Sequence, residues 1–175
     1  MRRRSLLLVG ILGLTGVAAL AATSIMSLLP PAEAISGWSV VAGADRKGCT
    51  AQDFYSMYDG AAPDMLQAGI VAAGERIYQR GSKRLTVDLY RFKTRGQAQA
   101  YYGRRKAEIA RNRAFETAGD GNSGVARAIG GRTYVSYQWR RKCCCTMSVN
   151  GNSAAEKAAL VAFAGYVSKR IAAQP

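Results

Sequence analysis

The sequence predicts an α+β domain, a mostly antiparallel sheet with helices packed on one face, in the order β-α-β-β-α-β-β-β-α. Three observations carry this. Runs of alternating apolar residues are joined by short Gly-containing turns, the signature of hairpins. Two long segments repeat apolar residues at three- and four-residue spacing, as amphipathic helices do. Strands follow one another directly more often than they alternate with helices, which favours antiparallel pairing over βαβ units.

Residues 36–41 open the domain with Gly37-Trp38 and a short strand, Trp38 being large enough to plug one end of a core. Thr50 is the N-cap of a helix over residues 51–58, with Asp53 as its first-turn acid. Asp59-Gly60-Ala61-Ala62-Pro63 interrupts that helix, and Asp64 to Ala68 forms one more turn before Gly69 stops it. A hairpin follows, residues 74–79 and 84–92 about Arg80-Gly81-Ser82-Lys83. In its second strand Leu85, Val87 and Leu89 make an apolar face and Thr86, Asp88 and Tyr90 a mixed one. A helix spans residues 94–113, with Ala98, Tyr102 and Ile109 inward and Arg104, Arg105 and Arg111 in water. Residues 119–124 read as a loop. Strands over 125–129 and 132–139 turn at Gly130-Gly131, with Val135, Tyr137 and Trp139 facing the core. A last strand covers 144–149. Ser153 then caps a terminal helix that repeats Leu160, Phe163, Val167 and Ile171.

The N-terminus reads as an export signal. Arg2, Arg3 and Arg4 precede an uncharged apolar run over residues 6–29. Pro30-Pro31 and Ala32-Glu33-Ala34 follow, a cleavage site ahead of Ile35; a weaker alanine cluster lies at Ala18 to Ala22. The division is therefore 1–34, a signal peptide or an uncleaved membrane anchor, and 35–175, a single basic α+β domain. The run is long enough for an inner-membrane anchor, so membrane association through it is the alternative to cleavage. Arg3-Arg4-Ser5-Leu6-Leu7 loosely resembles a twin-arginine signal. In either case the domain is expected to be exported, periplasmic or extracellular.

The 141 residues from Ile35 suit one core and keep 22 of the 25 basic and 10 of the 11 acidic residues, a formal charge of +12. Such a surface attracts polyanions, and the expected partner is an anionic envelope component or another envelope protein. Export argues against nucleic acid.

Gly37-Trp38, the run Tyr58-Asp59-Gly60-Ala61-Ala62, the strand ending Val87-Asp88-Leu89-Tyr90 and Ala98 to Tyr102 on a helix resemble an exported bacterial domain-of-unknown-function family. Its signature is Gly-Trp, a Tyr-x-Asn-Gly-Ala-Ala run, a Val-x-x-Tyr strand and an Asp-Ala-x-x-x-Tyr helix. Asp59 stands here in place of the usual Asn, and Gln97 in place of an acid before Ala98. The resemblance implies a fold and an exported location and carries no chemistry.

Histidine is absent, which removes Ser-His-Asp and Cys-His nucleophilic machinery and histidine metal sites. No spacing points to a metal or a cofactor. Asp53, Asp59 and Asp64 form an acidic cluster; together with Tyr58, Asp59 and Asp64 are candidates for a ligand surface or for carboxylate hydrolysis. The helix-start and turn roles of Asp53 and Asp59 are the simpler reading. Cys49 and the run Cys143-Cys144-Cys145 are disulfide candidates in an oxidising compartment. Cys143 and Cys145 should share the core face with Met147 and Val149, Cys144 should face outward, and Cys49 should pair with Cys144 or Cys143. A redox or stress function of the triplet is the runner-up to a non-enzymatic binding or structural domain. Trp139-Arg140-Arg141-Lys142 is a candidate anion-binding loop, or a solvated hairpin end.

Overall fold

The structure, a computed structural model, describes residues 25–112, 114–117, 123–127 and 133–174, with the side chains of 109–127 and 134 left undescribed. Two short strands, β1 (Ser39–Val40) and β2 (Arg46–Gly48), both pair with β3 (Ile70–Arg80). Between them and β3 come helix α1 (Ala51–Tyr58), a 3-10 turn (Asp59–Ala61) and helix α2 (Ala62–Gln67). Strand β4 (Lys83–Phe92), helix α3 (Arg95–Asn112), strands β5 (Ala114–Thr117), β6 (Ser123–Arg127), β7 (Thr133–Arg140) and β8 (Cys143–Asn150) and helix α4 (Ala154–Ala172) complete the chain. The sheet is antiparallel throughout, in the order β1-β3-β4-β8-β7-β6-β5.

This is the expected α+β antiparallel architecture, with β2, α2 and β5 added to the anticipated elements. The local reasons hold. Thr50 and Asp53 form a reciprocal capping box: Asp53 N donates to Thr50 Oγ1 at 3.2 Å, and Asp53 Oδ2 accepts from Thr50 N at 2.9 Å. Ser153 and Glu156 do the same for α4. Gly81 takes φ +57 in a two-residue turn between β3 and β4, a conformation glycine adopts without strain. The expected export signal as far as residue 24, the expected loop and turn over 118–122 and 128–132, including Gly130-Gly131, and the side chains of Ile109 and Arg111 lie outside the described residues.

One expectation is corrected: the helices cover both faces of the sheet. Leu85, Val87, Leu89, Cys143, Cys145, Met147 and Val149 face α4, where Leu160, Phe163, Val167 and Ile171 are buried. Tyr90, Phe92, Cys144, Val135, Tyr137 and Trp139 face the opposite layer, made of α1, α2 and α3 with Phe54, Met65, Ala98 and Tyr102. The mixed face of β4 is therefore a second core. Asp88, on this face, is half-buried with a partner from the helical layer, the hydroxyl of Tyr58 on α1.

The α4 layer includes the segment before Ile35. Ile25, Leu28 and Leu29 are 0–2% exposed and pack in the cluster of Trp38, Tyr78 and Phe163. Burying three such side chains contributes about 1.5–3 kcal/mol each, a sum comparable to the net stability of a small domain. Among the described residues no helix is long and apolar enough to cross a membrane.

Candidate functional site

The hairpin register lines up one rung of polar residues on the face covered by α1, α2 and α3. Arg46 on β2 opposes Glu75 on β3, Glu75 opposes Asp88 on β4, Asp88 opposes Thr146 on β8, and Thr146 opposes Tyr137 on β7. Two carboxylates directly opposite each other repel. Arg46 answers one of them with a two-pronged fork, Nε to Oε1 at 2.7 Å and Nη2 to Oε2 at 2.8 Å of Glu75. Asp88 receives the hydroxyl of Tyr58, which donates to Oδ1 at 3.3 Å. Burial, reinforced by the neighbouring Glu75, pushes the Asp88 carboxyl up to about 7. The Tyr58 hydroxyl is pushed up by burial and by Asp88, so it stays a donor.

Beside this rung opens a cleft of about 740 Å³, between the turn and α2 on one side and α3 on the other. Tyr58, Tyr90 and Tyr101 line it; their rings meet edge to face, with centroids 5.8 Å apart in both the Tyr58–Tyr90 and the Tyr90–Tyr101 pair. Arg104, Arg105 and Glu108 on α3 line its other wall, facing Asp64 on α2. The Arg104 guanidinium stands 5.9 Å from the Tyr101 ring centre, and that of Arg105 5.8 Å from the ring of Tyr137. Arg105 Nη1 donates to Glu108 at 2.8 Å, while its Nε is buried without a hydrogen-bond partner among the described residues.

The structure brings two of the expected site residues together: Tyr58 and Asp64 line this cleft. Asp59 does not. It is exposed, adopts φ +44 and closes α1 by donating its backbone N–H to Tyr55 O, the turn role. Glu75, Asp88, Tyr90, Tyr101, Arg104 and Arg105 were not anticipated as a site. The first two were legible in principle, because a two-residue turn at Gly81-Ser82 places Glu75 opposite Asp88 by counting outward. Arg105, expected in water, is half-buried.

The basic run sits elsewhere. Trp139 is 8% exposed and donates its indole N–H to Arg141 O at 3.1 Å, with Arg95 stacked over its ring at 5.5 Å. Arg140 donates to Ser168 Oγ; Arg141 donates to the carbonyls of Ala172, at 2.9 Å, and Gln174 at the end of α4. Both guanidinium groups thus fasten α4 to the sheet, Arg141 from an exposed position, and Lys142 beside it is exposed as well.

The structure contains no disulfide among its four cysteines, and the expected pairing of Cys49 with Cys144 or Cys143 meets a distance too long for it. Gly48, next to Cys49, opposes Ala73; Ala73 opposes Tyr90; Tyr90 opposes Cys144. Three strand spacings, roughly 14 Å, separate them, against a Cα limit of about 7 Å for a disulfide. Cys144 is fully buried under α3 instead of facing outward, while Cys143 and Cys145 do share the α4 face with Met147 and Val149. Burial raises the thiols of all three.

No family model matches the sequence, and no curated protein does. In structure, the chain is similar to the extracellular domain of PknH from Mycobacterium tuberculosis, with a TM-score of 0.58 at 9% identity, over 87% of this chain and 97% of that one. Residues 35–175 are 141 of 175, about 81% of the chain, so the shared fold reaches upstream of Ile35. At this identity the likeness establishes a common fold.

Proposed function

We propose that the chain is an exported, non-enzymatic domain that binds an anionic amphiphile of the cell envelope in the cleft between α2 and α3. The observation that carries this is the composition of the cleft. Three tyrosines offer ring faces and edges to an apolar body, and Arg104 and Arg105, set beside Asp64 and Glu108, offer guanidinium donors, with the buried Arg105 Nε lacking a partner among the described residues. The positive N-terminal run before an apolar stretch, and the likeness to an extracellular domain, support export. The net charge of +14 draws anionic ligands toward the surface before docking.

The test is a titration of the purified full chain with dodecyl phosphate below its micellar concentration, followed by tyrosine and tryptophan fluorescence. Saturable binding that falls about tenfold in the Arg104→Ala, Arg105→Ala double variant, a loss of about 1.4 kcal/mol, is the expected result. Equal affinity of the double variant and the parent would remove the reading.

A carboxylate-dependent hydrolase is the second reading, favoured by the Glu75–Asp88 pair with Asp88 titrating near neutrality. It requires that Asp88→Asn abolish a hydrolytic activity while leaving the fold and ligand binding intact. The thiol-dependent alternative draws no support from Cys143, Cys144 or Cys145, whose thiols are buried and held protonated.

A further inference from the structure

We infer that residues 25–34 belong to the mature domain, and that Ala32-Glu33-Ala34 is not its processing site; where an export peptidase cuts this chain, it cuts upstream, in the alanine cluster Ala18 to Ala22. The N-terminal segment is built into the α4 layer by contacts of several kinds. Ile25, Leu28 and Leu29 are core side chains. The carbonyl of Pro30 accepts the buried hydroxyl of Tyr78 at 2.8 Å and Arg76 Nη1 at 3.1 Å. Arg170 Nη2, from the end of α4, donates to Ser27 O at 3.0 Å. Two successive turns, Ala34 N to Pro31 O and Trp38 N to Ile35 O at 3.1 Å each, carry the chain on into β1.

The sheet is shaped for this segment. Gly74 lies inside β3, where glycine weakens a strand and marks close approach of another element. A Cβ there would stand 2.7 Å from Met26 Sδ and 3.3 Å from Ile25 Cγ2, so the missing side chain is the seat of residues 25 and 26. A cut after Ala34 would strip the cover from Gly74, Tyr78 and the Trp38 cluster and leave the Tyr78 hydroxyl without its acceptor. The fold shared with the PknH domain, which takes in residues upstream of Ile35, points the same way.

The experiment uses the full chain with a C-terminal tag, expressed in a bacterial host and recovered from the envelope. Intact mass should place the N-terminus at or before Ile25; a folded product beginning at Ile35 overturns the inference. Two substitutions in the same full chain give a second readout. Gly74→Val and Leu28→Asp should each lower the Tm of the recovered protein by several degrees. Were the segment discarded, Leu28→Asp would be silent and Gly74→Val neutral or stabilising, since valine suits a strand better than glycine; that pair of results also overturns it.

Discussion

Tyr58 is the hinge between the buried rung and the open cleft: its hydroxyl donates to Asp88 at 3.3 Å while its ring forms part of the cleft wall. A ligand that moves the ring therefore acts on the hydrogen bond that steadies Asp88, and the protonation of Asp88 acts back on the wall. Replacing Tyr58 by Phe keeps the ring and removes the bond. Stability should fall by about 0.5–1.5 kcal/mol in urea unfolding, and the Asp88 carboxyl, having lost the one neighbour hydroxyl that lowers it, should titrate higher in a carbon-detected NMR titration.

Asp88 also sets a pH dependence with a definite sign. Its folded value is raised from 3.8 to about 7, so the folded state binds the extra proton between those values. Stability from this group is fully present below about 4 and is lost as pH rises to about 7, with no further change above. Asp88→Asn keeps an acceptor for Tyr58 and gives Glu75 a donor. The variant should be more stable than the parent at pH 8, by a few kcal/mol at most given about 1.4 kcal/mol per unit. Its denaturant midpoint should vary less between pH 5 and 7; an unchanged pH profile would refute the assignment.

The helix caps work in the opposite direction. Backbone N–H groups of Cys49 and Thr50 hold the Asp53 carboxylate below its ordinary value, and Ser153 does the same for Glu156. Their stabilisation is present above the unfolded value and is lost as pH falls through the folded one. Asp53→Ala should cost about 1 kcal/mol at pH 7 and flatten the acid limb of the unfolding profile.

Thiol counting separates four free cysteines from any intramolecular bridge. Under native conditions a thiol reagent should titrate Cys49, which is half-buried, and spare Cys143, Cys144 and Cys145 on the same timescale. Denaturation without reductant should bring the count to four, whereas one disulfide would leave two.

Phe163 ties the α4 layer together, packing edge-on against Trp38 at 5.9 Å and Tyr78 at 4.5 Å. Phe163→Ala should cost about 3–5 kcal/mol, read as a lower urea midpoint. Val161, two residues earlier and on the exposed side of α4, should tolerate alanine within about 0.5 kcal/mol.

What the sequence determined by itself is what depends on neighbours along the chain. Thr50 and Ser153 cap helices because hydroxyl and acid lie three residues apart, and Leu85, Val87 and Leu89 share a face because a strand alternates. The same alternation put Cys143 and Cys145 on one side with Met147. What the tertiary structure alone decided is who sits across the sheet. The order β3-β4-β8-β7 moved Cys49 out of reach of the triplet, covered the mixed face of β4 with α1, α2 and α3, and brought α3 arginines into one cleft with the tyrosines of β4 and α1. It also drew residues 25–29, which look like the tail of an export signal, into the core. Capping and alternation are written in spacings of two to four residues. Strand order and layer packing are settled by the burial of surfaces far apart in the chain, and an apolar run reads the same whether lipid or a sheet will cover it.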